Sequence, residues 1–418
     1  MPTRGCWKML FKLGLTVIIL VAIYMFYAID TELKSTKVTE EGFSNLNNAG
    51  QDTKYAADVV DELKTEIKTE NEKSSVPPRE SIHLAVVACG DRAEETLVML
   101  KSAVLFTYIP LTFHIFTETS LMVHFQQQLD FWPPKYRQRI EFALYNITFP
   151  EHDGVKAEEW QKLFKPCACQ RLFISDILHH IDSLIYVDTD VLFLGPIEDI
   201  WALFKSFNSS HMSALAIEHE DKAIGWYNRF ARHPYYGEVG VNSGVMLMNL
   251  TRMRASPWLQ KMNAFYKEYK LKITFGDQDL INIYFHYHPD QLYIFSCEIN
   301  YRPDHCMYMS VCKPAEKVGA VILHGCRRVW FEDKQPAFKA VYQAFKEHYL
   351  GGSLRYDLLA SITKNLAAAE PSNCGKVEGL FTRRIDSHLT HIDSQQQQQQ
   401  QLPMDQQQQQ QHKENPIS

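Results

Sequence analysis

Two carboxylates two residues apart, Asp188 and Asp190, interrupt an otherwise apolar run, Ser183-Leu184-Ile185-Tyr186-Val187-Asp188-Thr189-Asp190-Val191-Leu192-Phe193-Leu194. On one strand the side-chain period of two points both to the same side. Paired anions at an apolar edge are costly without a counter-charge, and a divalent cation with oxygen ligands removes that cost. A surface Asp beside a capping Asp is the plainer alternative; the apolar residues closing in on both sides favour metal. His324 ends a second apolar run, Val321-Ile322-Leu323, just before Gly325, and is a candidate third ligand. Two carboxylates and one imidazole suit Mn2+, with Mg2+ as the alternative. Asn242-Ser243-Gly244 adds a side-chain amide and a glycine that lets backbone come close to a ligand, although a simple turn uses the same residues. Asp277 and Asp279 flank Gln278, and one of the two acids could merely cap a helix.

The elements that must hold these groups read as α/β. Ile82 to Gly90 is an apolar run closed by glycine, hence a buried strand feeding a turn. A helical stretch follows over Thr96 to Phe106, then a strand near Phe113 to Phe116. Strands alternating with helices of this length imply a layered α/β body. Ahead of it, Leu13 to Ile29 is an uncharged apolar stretch of 17 residues, with Arg4, Lys8 and Lys12 before it and Asp30 and Glu32 after it. As a helix it spans roughly 25 Å, and the charge asymmetry puts the N-terminus in the cytosol and the rest across the membrane. We expect a cytosolic tail over 1–12, a signal-anchor helix over 13–29, a polar luminal stem over 30–79, the catalytic body over 80–350, an extension over 351–394 and a disordered glutamine-rich tail over 395–418. A luminal body agrees with glycosylation sequons at Asn146, Asn208 and Asn249 and with eight cysteines beyond the anchor. Cys306 and Cys312 are a plausible local disulfide, whereas Cys167 and Cys169 are too close to pair without strain. A formal net charge of −6 over 418 residues gives no basic field for a nucleic-acid partner.

Two enzyme classes place Asp-x-Asp at a strand end: nucleotide-sugar glycosyltransferases and haloacid-dehalogenase phosphatases. The phosphatases also need a later Gly-Asp-x-x-x-Asp, and Gly276-Asp277-Gln278-Asp279-Leu280-Ile281 puts its second acid in the wrong place. The stretches LAVVACGDRAEETLVMLKSA, EEWQKLFKPCACQRLF, DSLIYVDTDVLFL, GWYNRFARHPYYG, GVNSGVMLMN, TFGDQDLIN, NYRPDHCMY and ILHG followed by DKQPAF cover most of residues 82–338 in order. Through them the chain resembles the retaining glycosyltransferase family eight, and within it the glucoside xylosyltransferases. The resemblance implies a GT-A fold with a mixed, mainly parallel sheet flanked by helices. It implies a single-pass type II Golgi or endoplasmic-reticulum enzyme that transfers xylose from UDP-xylose, in α-1,3 linkage, to glucose O-linked on EGF-like repeats such as those of Notch receptors. Asp188, Asp190 and His324 would hold Mn2+, and Val87 and Ala88 would line the uracil and ribose pocket. Arg171, Asn242, Ser243, Gly244 and Gly325 would contact the donor, and Asp277 and Gln278 would face its sugar. Retention favours same-face attack, with Gln278 or a neighbouring carbonyl stabilising the positive charge on the sugar. The aromatic and cationic loop Gly225 to Gly237 is a candidate part of the acceptor site.

Two departures stand out. Many relatives carry a Lys for the diphosphate in a His-x-x-Gly-x-x-Lys-Pro-Trp motif; here Gly325-Cys326-Arg327-Arg328-Val329-Trp330 follows His324, leaving Arg327, Arg328 or Lys334 as substitutes. The segment between Arg254 and Lys267 is also shorter than that pattern by roughly three helical turns. The competing functions are a transferase of the same fold using UDP-glucose or UDP-galactose, and a non-catalytic glycan-binding relative; intact metal ligands weigh against the second.

Overall fold

The computed structural model describes residues 81–401 apart from 152–153 and 164–166. The expected cytosolic tail, anchor and stem, and the tail beyond 401, lie outside the described residues. In chain order the elements that matter are β1 (Ile82–Ala88), α1 (Ala93–Phe106), β2 (Leu111–Thr117), α2 (Thr119–Asp130), β3 (Ile140–Asn146), β4 (Ser183–Val187), β5 (Val191–Phe193), β6 (Ser213–Ile217) and β7 (Val241–Asn249). They continue with α3 (Trp258–Tyr269), α4 (Asp277–Tyr287), β8 (Leu292–Phe295), β9 (Ile322–His324), α5 (Pro336–Glu347), α6 (Ala360–Ala369) and α7 (Gly379–Gln401).

β1 is apolar on both faces, and such a strand needs cover on both. It lies inside a seven-stranded sheet of order β3-β2-β1-β4-β7-β6-β8. Neighbours run parallel except where β7 opposes β4 and β6, so the sheet is mixed and mainly parallel, as expected. The period of two along each strand divides the core. Leu84, Val86, Ile185, Val187, Val245 and Leu247 pack on the α1 side. Ala85, Leu184, Tyr186, Met246 and Met248 pack with Trp258, Leu280 and Tyr284 from α3 and α4.

The sequence led us to expect one strand through both acids, and the structure corrects this. The run 183–194 is two strands in two sheets: β4 ends at Val187, the chain turns through Asp188-Thr189-Asp190, and β5 pairs with β9. The disulfides also differ. Cys312 bonds Cys297 and Cys306 bonds Cys374, while Cys167 bonds Cys89. Cys169 and Cys326 are free. Sequence proximity suggested 306–312; packing put other partners nearer. Of the three sequons, Asn146 and Asn208 are exposed. Asn249 is a helix cap whose Oδ1 accepts from the Arg252 amide at 2.9 Å and whose Nδ2 donates to Ser183 Oγ at 3.2 Å. Among the described residues no helix is long and apolar enough to cross a membrane.

The segment expected as an extension packs into the same core as the sheet. Leu358, Ile362, Leu366, Leu380, Phe381 and Ile385 are buried with Phe338 and Tyr301, and the Cys306–Cys374 bond ties the segment to the loop before β9. α7 continues through the first glutamine tract to Gln401, so that tract is helical where a disordered tail was expected. At about 1.5–3 kcal/mol per fully buried side chain, those six residues contribute roughly 10 kcal/mol or more. A whole domain has about 5–15 kcal/mol. A body ending at Leu350 is therefore expected to aggregate, whereas one ending at Gln401 melts cooperatively; calorimetry on the soluble fractions checks this.

Candidate active site

Two strand registers assemble the metal-ligand candidates. Because Val187 pairs with Val245, the next residue, Asp188, falls opposite Gly244, and its N–H donates to the Gly244 carbonyl at 2.9 Å. Because Val191 pairs with His324, Asp190 meets Gly325, whose N–H donates to the Asp190 carbonyl at 2.6 Å. His324 Nε2 then lies 3.4 Å from Asp190 Oδ1 and 3.8 Å from Asp188 Oδ2, with one ligand atom from each of the three within 4.8 Å of the others.

The imidazole is oriented by Asn300, an amide the sequence gave no reason to single out, and through it by Asn242. His324 Nδ1 is 2.9 Å from Asn300 Oδ1, and Asn300 Nδ2 donates to Asn242 Oδ1 at 2.9 Å. The Asn300 oxygen therefore faces the ring and takes the Nδ1 proton, leaving the Nε2 lone pair towards the two carboxylates. Two anionic oxygens and a neutral imidazole nitrogen converging on one point is a donor set that fits a divalent cation. Asn242 Nδ2 extends the chain to Gln278 Oε1 at 3.2 Å. Gly244 serves this arrangement and not ligand approach: a Cβ there would stand 2.1 Å from His324 Cε1. Gly325 likewise makes room for the Trp330 ring, which a Cβ would meet at 2.0 Å.

Arg171 is the hidden centre. It sits on the short helix Ala168–Phe173 and is buried. Its guanidinium is 3.1 Å from Asp188 Oδ1, in contact with Asp277 Oδ2, and donates to the Ser243 carbonyl at 2.6 Å. It also lies 4.6 Å from the centre of the Tyr186 ring. Burial alone would lower its pKa, but Asp188 and Asp277 outweigh that and raise it. Burial pushes the Asp277 carboxyl up to about 6, against the pull of the Arg171 guanidinium it faces. Asp279, the other acid, is fully buried. One of its oxygens accepts from the Tyr227 hydroxyl at 2.7 Å and the other from the Thr274 and Phe275 amides at 2.6 and 2.8 Å. It is structural and closed to ligand. Gln278 Oε1 accepts from Asn242 Nδ2, Ser243 N and Ser243 Oγ at 3.2–3.3 Å, so its carbonyl is already committed.

Asp188, Asp190, His324, Arg171, Asp277 and Gln278 line a cleft of about 610 Å3 that also includes Val87, Trp226 and Arg327. Ala88 does not reach it: it is fully buried, with its carbonyl accepting from Thr117 Oγ1 at 2.6 Å. Gly244 and Gly325 are not among the lining residues either. Of the three substitute cations only Arg327 lines the cleft. It is half exposed, 2.6 Å from Asp304, in a left-handed conformation (φ 61°). Lys334 pairs with Glu332 outside the cleft, and Arg328, itself not a lining residue, lies 3.8 Å from the cleft-lining Asp91 and 3.9 Å from Glu332.

A mixed α/β sheet with two acids at a strand end, an imidazole on a distant strand and a cleft beside them suits a sugar-nucleotide transferase. The model of the family described as glycosyl transferase family 8 matches residues 83–305. The chain is 51% identical to mouse (Mus musculus) glucoside xylosyltransferase 2 over 323 residues, 75% of this chain and 72% of that protein. It is 51% identical to human (Homo sapiens) glucoside xylosyltransferase 1 over 321 residues, covering 74% and 72%. Among solved structures, the galactosyltransferase LgtC in complex with donor and acceptor sugar analogues matches with a TM-score of 0.50 at 16% identity, covering 66% of this chain and 99% of that one; it bears on the fold, which is GT-A-like. The chain belongs to glycosyl transferase family 8 and is a glycosyltransferase.

Gly244→Ala is expected to push the imidazole off the carboxylates, and Asn300→Ala to release its tautomer. Each should weaken divalent-cation binding, by about 10- to 100-fold for the amide, as read by titration calorimetry with the sheet intact by circular dichroism. Unchanged affinity in both would contradict the assigned orientation.

Proposed function

We propose that this enzyme transfers xylose from UDP-xylose to O3 of a β-linked glucose, with retention and with Mn2+. The acceptor class is O-glucosylated EGF-like repeats, and the body lies in the lumen of the Golgi or endoplasmic reticulum behind a single membrane helix. The observation that carries the reading is the convergence of Asp188, Asp190 and His324 beside Arg171 in the cleft, in a chain half identical to glucoside xylosyltransferases. A cation held there would offset the charge that builds on the departing diphosphate. Arg327 supplies a second positive charge on the cleft wall, in the role for which many relatives carry a lysine.

The side chains favour the same-face route. A covalent intermediate needs a free carboxylate as nucleophile. Asp279 is closed off by four donors or partners, and Asp277 is committed to Arg171. In the same-face route the bond from the anomeric carbon to the diphosphate breaks as the bond to the acceptor oxygen forms. The acceptor proton passes to the diphosphate oxygen that leaves. Asp277, on the cleft wall, stabilises the positive charge that develops on the sugar; the committed Gln278 carbonyl positions Asn242 and Ser243.

Incubation of residues 80–401 with Mn2+, a β-glucoside and UDP-xylose, UDP-glucose or UDP-galactose should give product mass and UDP release with UDP-xylose alone. EDTA and Asp190→Ala should each abolish it. Turnover with another donor only would replace the donor assignment, and UDP binding without turnover would make the chain a binding relative. Arg327→Ala should raise the donor KM about tenfold, close to 1.4 kcal/mol, with Arg327→Lys recovering most of the loss. Full-length chain made in animal cells should lose mass on peptide N-glycosidase treatment. Asn208→Gln should remove part of that shift and Asn249→Gln none, since Asn249 is spent as a cap; an unshifted full-length chain would contradict a luminal body.

A further inference from the structure

The loop that follows β6 exposes two large apolar rings where burial would be favoured. Trp226 is 47% exposed and Phe230 44% exposed, stacked on each other with centroids 4.8 Å apart. They stand four residues apart at the start and end of the short helix Tyr227–Phe230, a spacing that puts both on one face. Trp226 also lines the cleft that holds Asp277 and Gln278.

The residues between and after these rings are fixed in place. Tyr227 is buried, donates its hydroxyl to Asp279, and packs against Phe275 with centroids 5.3 Å apart. Gly240 gives its ring room, since a Cβ there would come within 2.5 Å of it. His233 Nε2 lies 3.1 Å from the same Asp279 oxygen. Asp279 stands two residues after Asp277 on α4, so one buried carboxylate sets the loop relative to the donor-side residues. A buried polar network therefore holds two exposed rings rigidly at the edge of the catalytic cleft.

Flat, rigid aromatic faces beside a polar cleft suit a pyranose whose ring hydrogens are axial and whose hydroxyls are equatorial. A β-glucose is such a ring. Arg229, exposed with its guanidinium 5.8 Å from the Phe230 ring centre, adds a donor at the rim for hydroxyls. We infer that Trp226, backed by the stacked Phe230 ring, forms the shelf on which the acceptor glucose stacks, and that Asp279, through Tyr227 and His233, positions this shelf against the donor. The inference rests on the reading above that the acceptor is a β-glucoside.

The test is steady-state kinetics with methyl β-glucoside on residues 80–401 carrying Trp226→Ala, Trp226→Tyr or Phe230→Ala. Trp226→Ala should raise acceptor KM about tenfold or more, while donor KM moves by less than about threefold; Trp226→Tyr should recover most of the loss. Saturation-transfer NMR on the parent body should show the strongest transfer to the glucose ring hydrogens, reduced in Trp226→Ala. Trp226 is exposed, so its loss leaves the fold intact. If the parent body transfers to the glucoside and Trp226→Ala keeps the parent acceptor KM, the shelf is wrong and the function stands. If the parent transfers to no glucoside, the function itself has failed. Equal increases in both KM values would assign Trp226 to the shared cleft wall and overturn the inference.

Discussion

A guanidinium buried among carboxylates governs this molecule. Arg171 carries a full charge in a place where an isolated ion would be far too costly. It is tolerable there because Asp188, Asp277 and the Ser243 carbonyl meet it from three elements. The reverse holds as well: Asp188 can stand at an apolar strand end, and Asp277 can be almost fully buried, because Arg171 is between them. A cation held by Asp188, Asp190 and His324 would thus add to a site whose charges are already partly balanced. That arrangement permits a preformed cleft, with little rearrangement needed when a charged donor arrives.

From this centre the rest follows by register and by amides. β4 against β7 sets Asp188 by Gly244, and β5 against β9 sets Asp190 by His324. The relay Gln278–Asn242–Asn300–His324 joins α4 to the embedded imidazole. Substitutions along that relay should act at both ends of the cleft, so they are poor choices for separating metal binding from sugar binding.

What the sequence made legible was chemistry placed at the ends of apolar runs. Asp188, Asp190 and His324 stood out because a polar group that terminates a strand is rare unless it has work to do. Val87 and Ala88 entered together through the family resemblance, and of the two only Val87 lines the cleft, since one residue along a strand reverses the side. The buried state of Arg171 was invisible because its partners lie 17, 72 and 106 residues away in sequence. Asn300 lies in a stretch with no period or motif of its own. Gly244 and Gly325 were recognisable as close approaches, but only coordinates tell whether a ligand or a neighbouring ring fills the space. The segment after Leu350 read only as an extension; its cover is supplied by α5 and the Cys306–Cys374 bond.

The order of the chain has a consequence for when the enzyme becomes one. β5 is synthesised well before β9, its only strand partner among the described residues, and the core beneath β9 is closed by residues as late as Ile385. At about 5–20 residues per second, the interval between Asp190 and Ile385 lasts roughly 10–40 s. During that time two acids wait beside an unpaired strand, with no imidazole to complete their ligand set. A cation held by these residues would therefore load onto the finished polypeptide, since a nascent chain paused before its last helices has the acids of the cleft wall without the completed core beneath His324.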